Sequence, residues 1–526
     1  MKDDERRESF PVRILAAVLL VHVLAVVPGL GARTLWHVDE ARFAAVAREM
    51  TATGDWLIPR IGGRVFASYP PLTYWTVAAS GSLFGWSEWA VRLPSFLAGA
   101  ALIVSAAFLA WRLTGSAAAA GIAAVVLAAT PGFLIQEITC RADVLLALFT
   151  VAALILFLQA ADSPPGTASP LVVSGFWLCL ALGVLTKGPL GLFLPAFAAG
   201  PWILVRRRWD MLSILRPWWG IPLLLALTLP WYWIFSRRGG GAALEYNFLR
   251  ENVEAFFSGF HHPRPFLYYV PRLALRALPW LLVLPALVVL TRERRDIVLP
   301  GLGLLVMFVF FSVSINKRVN YLTYFYPLLA VIEGAVLAGA AGLPWSRRAA
   351  AGMGGLLAVA AAGFTGSLIL APELWTADAV IARPGLLAVA GVVAAVLGGG
   401  IVVLSFRGRL PAALGTAGLG ISAAFLLYAT VINPETDVEG RRGTAFCRTF
   451  AGYVPEGESI GAFGLPEEAT YYYYSPRRME NMRDLEDFRS RRLSYGFSYE
   501  ADRPPGVRIL TRFEEDNHRV LYLWRM

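Results

Sequence analysis

A chain of 526 residues that is 57% hydrophobic and 16% charged lies well below the roughly 25% charge content of soluble domains, so composition points to a polytopic membrane protein and against a string of soluble domains. The net charge of +10 does not call for nucleic acid as a partner, because the arginines cluster between apolar runs, where membrane orientation accounts for them. Cys140, Cys179 and Cys447 are scattered and odd in number, and imply no disulfide framework.

The polar start, MKDDERRESF, precedes an apolar run from Ile14 to Leu30. That run is near spanning length, whereas a cleavable signal has a shorter apolar core and a small-residue cleavage site; an uncleaved first helix over 12–30 is expected. Further runs approach the ~20 residues a spanning helix needs. They fall at 93–112, 116–133, 143–160, 171–186, 189–205, 217–235, 272–290, 297–315, 321–341, 349–370, 384–405 and 411–431, giving about thirteen spans. The pair flanking Thr186–Pro189 is short or broken. Arginine clusters at Arg6-Arg7, Arg206 to Arg208, Arg292/Arg294/Arg295, Arg347-Arg348 and Arg407/Arg409 all fall on one side of a thirteen-span bundle, together with the N-terminus. Basic loops stay cytoplasmic, so the opposite side is extracytoplasmic. It receives two large loops, 31–92 and 236–271, and everything after residue 432.

From 433 to 526 the composition turns charged and Tyr-rich, with short apolar runs and turn signals in SIGAFGLPEEATYYYY and GVRILTRFEE…HRVLYLWRM. These read as strands, and a small C-terminal α/β domain is expected outside the 1–432 transmembrane domain. The run Tyr471 to Tyr474 reads as strand core and surface.

The first large loop opens with WHVDEARFAAVAREM, Trp36 to Met50. Phe43, Val46 and Met50 recur at helical spacing from Asp39, which predicts an amphipathic helix lying at the membrane interface. Asp39 at its start is also a favoured helix cap, and His37 stands two residues before it. Several more charges gather on the same side: Arg141 and Asp143 in QEITCRADVLLALFT, Lys187 in LTKGPLGLFLP, and Lys317 and Arg318 in FFSVSINKRVNYLTYFYPLLA. A charge at membrane depth costs roughly 2.5–3.5 kcal/mol on insertion scales, so each needs a partner or a task. One cation alone reads as snorkelling to lipid phosphates. Acids and cations converging on one face look like a site for an anionic substrate beside a general base.

In order along the chain, DEARFAAVAREM, GDWLIP, PPLTYW, VRLPS, ADVLLALF, LTKGP, HHPRPFLYYV…LPW and SINKRVNYLTYFYPLLA resemble the C-type (GT-C) membrane glycosyltransferases, most closely the bacterial aminoarabinose transferases of lipid A and, beyond them, the protein O-mannosyltransferases. The resemblance covers nearly the whole chain. It implies a GT-C fold in the bacterial inner membrane with the C-terminal domain in the periplasm. It implies inverting transfer of a sugar from a polyprenyl-phosphate carrier to a lipid, glycan or protein acceptor. By the family's pattern Asp39 matches the base, with Glu40 beside it, and Asp143 matches a second acid. Lys187 matches a family lysine, and Arg264, Lys317, Arg318, Arg141 and Tyr69 lie at candidate donor-phosphate positions. Glu-Lys usually precedes the Pro-Pro pair in the aminoarabinose transferases, tied to a metal and to the donor; here the residues are Ser68-Tyr69. His261 and His262 are candidate ligands for a divalent metal. The alternative from another class is a flippase for a lipid-linked sugar. Transporters carry repeats and midplane sites, and this chain shows neither.

Overall fold

The computed structural model describes residues 8–35, 38–164, 167–247, 250, 254–258, 263–283, 297–339, 348, 350–352, 354–355, 358–359, 384–435, 437–465, 469–515 and 518–526. Helices α1 (Val12–Leu30), α2 (Val38–Thr53), α3 (Leu72–Phe84), α4 (Glu88–Thr114), α5 (Ala117–Ala128), α6 (Pro131–Glu137), α7 (Ala142–Ala161), α8 (Pro170–Lys187), α9 (Leu190–Arg206), α10 (Met211–Ile214) and α11 (Pro217–Gly239) run through its first half. They are followed by α12 (Tyr269–Ala277), α13 (Val298–Val313), α14 (Tyr326–Gly339), α15 (Pro384–Phe406) and α16 (Leu410–Leu427). Among the described residues seven helices are long and apolar enough to cross a membrane, or eight if α5 and α6 count as one span bent by 64°. The chain is a multi-pass membrane protein.

Several expected spans change form. The run at 116–133 breaks because Pro131 lacks the N–H that would continue α5 and instead opens α6 at its first position. The run at 321–341 begins as a 3₁₀ stretch, Val319–Tyr324, before α14. Within 272–290 the described part is the end of α12 and a short 3₁₀ turn, Trp280–Val283. The run at 349–370 lies largely outside the described residues.

The chain divides into two compact units. The first comprises residues 1–29, 95–230 and 248–432. Its core is made by small and apolar residues such as Ala106, Ala110, Ala123, Leu127, Leu146 and Phe157. Small side chains let membrane helices approach closely, which matters where apolar burial alone gives no drive to associate. The α8–α9 turn depends on this: a Cβ on Gly191 would stand 2.2 Å from the backbone of Gly183. Deeper in the unit, His22 on α1 and Glu137 at the end of α6 form a fully buried pair, Nε2 to Oε1 3.1 Å. Gly99 on α4 makes the room, because a Cβ there would stand 1.8 Å from Glu137 Oε1. Gly99→Ala is therefore expected to destabilise the protein by about 1–3 kcal/mol, read as a lower thermal midpoint in detergent. An unchanged midpoint would show that the pair has slack.

The second unit comprises residues 30–94, 231–247 and 433–526. Beside a two-stranded ribbon, β1 (Arg60–Ile61) and β2 (Arg64–Val65), its main sheet is five-stranded in the order β4-β3-β5-β7-β6, from β3 (Ile460–Phe463), β4 (Met479–Asn481), β5 (Tyr495–Tyr499), β6 (Arg508–Glu514) and β7 (Val520–Arg525). Strand β3 runs parallel to β4 and β5, and β7 is antiparallel to β5 and β6. Parallel neighbours need crossover connections, supplied by two short helices, Ala469–Tyr474 and Leu485–Ser490. A longer helix, Val438–Tyr453, lays Phe446 and Phe450 against Phe497. The four consecutive tyrosines thus form a helix and not a strand. Two of their hydroxyls bond across the unit, Tyr471 to Glu515 at 2.7 Å and Tyr474 to Glu88 at 2.8 Å. Helix α2 also departs from expectation. Ala41, Phe43, Ala44, Val46, Ala47 and Met50 are all buried, packed against α3 and the tyrosine helix. Protein covers it where an interfacial helix would lie on lipid.

Candidate active site

In the first unit the start of α7 carries Asp143 in its first turn, one residue into the helix after Arg141 in an extended conformation. Ser95 on α4 holds that approach, accepting from the Arg141 backbone N–H at 3.2 Å. The Asp143 carboxylate is buried and accepts from three donors. Its Oδ1 accepts from Lys187 Nζ at 2.5 Å and from the Tyr324 hydroxyl at 2.5 Å, and its Oδ2 accepts from Asn320 Nδ2 at 2.7 Å. Lys187 ends α8, where Gly188 at φ 64° turns the chain toward Pro189. Its amine also lies 3.2 Å from the Tyr324 hydroxyl and 5.0 Å from the Tyr321 ring centroid. Arg318 and Arg141 add positive charge around it. Asp143 thus pairs with Lys187, and two arginines lie within electrostatic reach of that lysine. Held by three donors, Asp143 is well placed to orient Lys187 and Tyr324.

Lys317 is in the same unit, yet its amine is turned to backbone. It donates to the carbonyl of Arg264 at 3.1 Å and to that of Ser314. The Arg264 N–H returns to Ile315 at 3.2 Å, and Pro263 bridges Asn316. Burial holds Lys317 below the usual lysine range. The lysine therefore fastens the segment that presents Arg264, whose side chain is exposed. Arg318 is half-buried, and its carbonyl accepts from the Tyr269 hydroxyl at 3.3 Å.

In the second unit the two acids of the opening motif part company. Asp39, in the first turn of α2, keeps a quarter of its side-chain surface exposed, with Arg42 Nη1 at 3.9 Å. Glu40 is fully buried. Arg92 grips it with Nε at 2.9 Å and Nη2 at 3.2 Å, and Arg33 adds Nη2 at 2.5 Å. The remaining N–H groups of Arg92 reach the carbonyls of Leu30, Arg33 and Thr34, so one guanidinium fixes both the acid and the strand of chain leading to it. Thr34 is held again by Asp437 (2.6 and 2.8 Å), and Leu35 by the Tyr474 hydroxyl at 2.7 Å. Desolvated and ion-paired, Glu40 offers no exposed surface to a substrate and ties the start of α2 to Arg92 and Arg33. Tyr69 is half-buried, its ring 5.2 Å from Phe43, which in turn lies 5.4 Å from Tyr74.

Arg92→Ala would strand the buried Glu40 charge. A loss of about 3–5 kcal/mol is expected, as for other broken buried pairs, whereas Arg92→Ala combined with Glu40→Gln should recover part of it. Thermal midpoints of the two proteins decide this.

Sequence reasoning did not single out Asn320, Tyr324 or Arg92. Their signal was present, as polar groups inside apolar runs. His37, His261 and His262 lie outside the described residues. Among the described residues no three His, Cys, Asp or Glu side chains gather as a metal-binding group.

The family model described as dolichyl-phosphate-mannose-protein mannosyltransferase matches residues 12–239. The undecaprenyl phosphate-alpha-4-amino-4-deoxy-L-arabinose arabinosyl transferase of Edwardsiella ictaluri is 32% identical over 334 residues, 61% of this chain and 58% of that protein; the chain thus aligns with little more than half the length of this relative. The crystal structure of ArnT from Cupriavidus metallidurans bound to undecaprenyl phosphate superposes with a TM-score of 0.78 at 24% identity, covering 97% of each chain. The archaeal oligosaccharyltransferase AglB of Archaeoglobus fulgidus gives a TM-score of 0.51 at 13% identity, over 93% of this chain and 69% of that one.

Proposed function

We propose that this chain, which has the fold of the C-type membrane glycosyltransferases and resembles the aminoarabinose transferases and protein O-mannosyltransferases, moves a sugar from a polyprenyl-phosphate carrier to an acceptor hydroxyl on the periplasmic side of the inner membrane. The acceptor oxygen attacks the anomeric carbon, the bond from that carbon to the phosphate oxygen breaks, and the sugar arrives with inverted configuration. The hydroxyl proton goes to Asp39. The electron pair of the broken bond leaves on the polyprenyl phosphate.

The reading is carried by the group around Asp143. A leaving phosphate gains charge as its bond to the sugar breaks, and preorganised positive groups lower that barrier most. Lys187 pairs with Asp143, and Arg141 and Arg318 add positive charge near it, which suits a phosphate. Arg264 is a further phosphate contact, held out by Lys317. The ArnT of Cupriavidus metallidurans, with the same fold, was crystallised with undecaprenyl phosphate. Asp39 is the acid with exposed surface at the start of α2, as a base must be to meet an incoming hydroxyl. The acceptor is a lipid A-like lipid, a glycan or a protein, and the masses below separate these.

The deciding experiment compares lipid A and total glycolipid masses from a deletion strain and from the same strain complemented with the wild type or Asp39→Asn. A pentose-sized or hexose-sized increment restored by the wild type alone supports transfer and gives the sugar class. Unchanged masses with carrier-linked sugar accumulating on the cytoplasmic side would replace transfer with flipping.

A further inference from the structure

The loop from α9 to α11 is built in a way that membrane orientation alone does not require. Residues 206–216 hold four arginines and one acid, Asp210. Two of these arginines take the left-handed conformation, Arg207 at φ 53° and Arg216 at φ 47°. Helices α3, α4 and α8 are instead followed by Gly85, Gly115 and Gly188 at positive φ, the residue type that adopts this conformation without penalty. An arginine where glycine is favoured is a local strain, and strain of this kind points toward function.

The loop is also well held. Arg208 donates to the carbonyl of Ala161 at 2.9 Å and pairs with Asp210 at 2.8 Å. Arg216 donates to the carbonyl of Ala168 at 3.1 Å, and Trp177 to that of Leu215 at 2.8 Å. Met211 and Ile214 are buried beneath it. On its outer side Arg207, Trp209, Leu212 and Trp218 are exposed. Tryptophan favours the headgroup level of a bilayer, and arginine matches the oxygens of a phosphate in pairs.

We propose that this loop seats the headgroup of an anionic phospholipid, with Arg207 on the phosphodiester and Trp209 and Trp218 at the boundary with the acyl chains. The charge selects the lipid class: a zwitterionic headgroup brings its own ammonium into a basic site, and an anionic one does not. The seat is independent of the transfer reaction.

The test follows the thermal midpoint of the purified full chain in detergent, with added dioleoylphosphatidylglycerol, dioleoylphosphatidylcholine or soluble glycerol phosphate. Phosphatidylglycerol should raise the wild-type midpoint by about 3 °C over phosphatidylcholine. R207G should match or exceed the wild type in phosphatidylcholine, since glycine relieves the strain, and should lose most of that increment. R492G, which relieves the left-handed Arg492 (φ 56°) in the C-terminal domain, should keep it. An increment that survives R207G, or one absent from the wild type, overturns the seat. Glycerol phosphate giving the full increment without lipid would overturn it in favour of a soluble phosphate site.

Discussion

Asp39→Asn is expected to lower sugar transfer by about 10²–10⁴-fold, the usual worth of a positioned general base, in a protein that still folds. The substitution keeps the size of the side chain and removes its basicity. Its structural cost is small, because the residue stands in the first turn of α2 with a quarter of its side chain exposed. A negative charge at a helix start contributes about 0.3–1 kcal/mol. The α2 start is held mainly by the neighbouring Glu40–Arg92 pair, which the substitution leaves intact. Release of polyprenyl phosphate from a lipid-linked sugar donor measures the reaction, and a thermal midpoint checks the fold. Transfer at the wild-type rate would reduce Asp39 to a first-turn charge and send the search for the base elsewhere.

Lys187→Met should do more damage to stability than any exposed substitution, about 3–5 kcal/mol, because it leaves the Asp143 carboxylate buried without the cation that is hydrogen-bonded to it. Tyr324 and Asn320 still donate to that carboxylate, but neutral donors do not compensate a buried charge. Adding Asp143→Asn to Lys187→Met removes the stranded charge, so the double variant should be more stable than Lys187→Met alone. Binding of polyprenyl phosphate should fail in both, since the cation is gone from each. Midpoints by denaturation and a phosphate-binding assay separate the two effects. If the double variant is no more stable than the single one, the two residues are not coupled as their geometry demands. If phosphate binding persists, Lys187 serves Asp143 and not the donor.

The opening motif shows where reading a sequence stops. Asp39 and Glu40 are adjacent acids of the same chemistry, and nothing local distinguishes the one that keeps exposed surface from the one that is sequestered. The distinction comes from Arg92, 52 residues further on, which takes Glu40 and leaves its neighbour with exposed surface. The cations behave alike. Lys187 and Lys317 both follow long apolar runs, yet one meets a carboxylate 44 residues away while the other fastens two carbonyls. Asn320 joins the same carboxylate across 177 residues. The four tyrosines differ for the opposite reason: aromatic residues suit strands in general, but here they lie in the crossover between the parallel strands β3 and β4, which a helix supplies.

The apolar runs, their breaks at prolines and glycines, and the gathering of acids and cations near the ends of those runs are properties of short stretches, governed by backbone geometry and transfer from water; the amino-acid order settles them unaided. Which acid is sequestered, which lysine stays with a carboxylate and which tyrosine completes the group around Asp143 were decided by tertiary structure, because a buried charge takes whichever partner the packing brings to it.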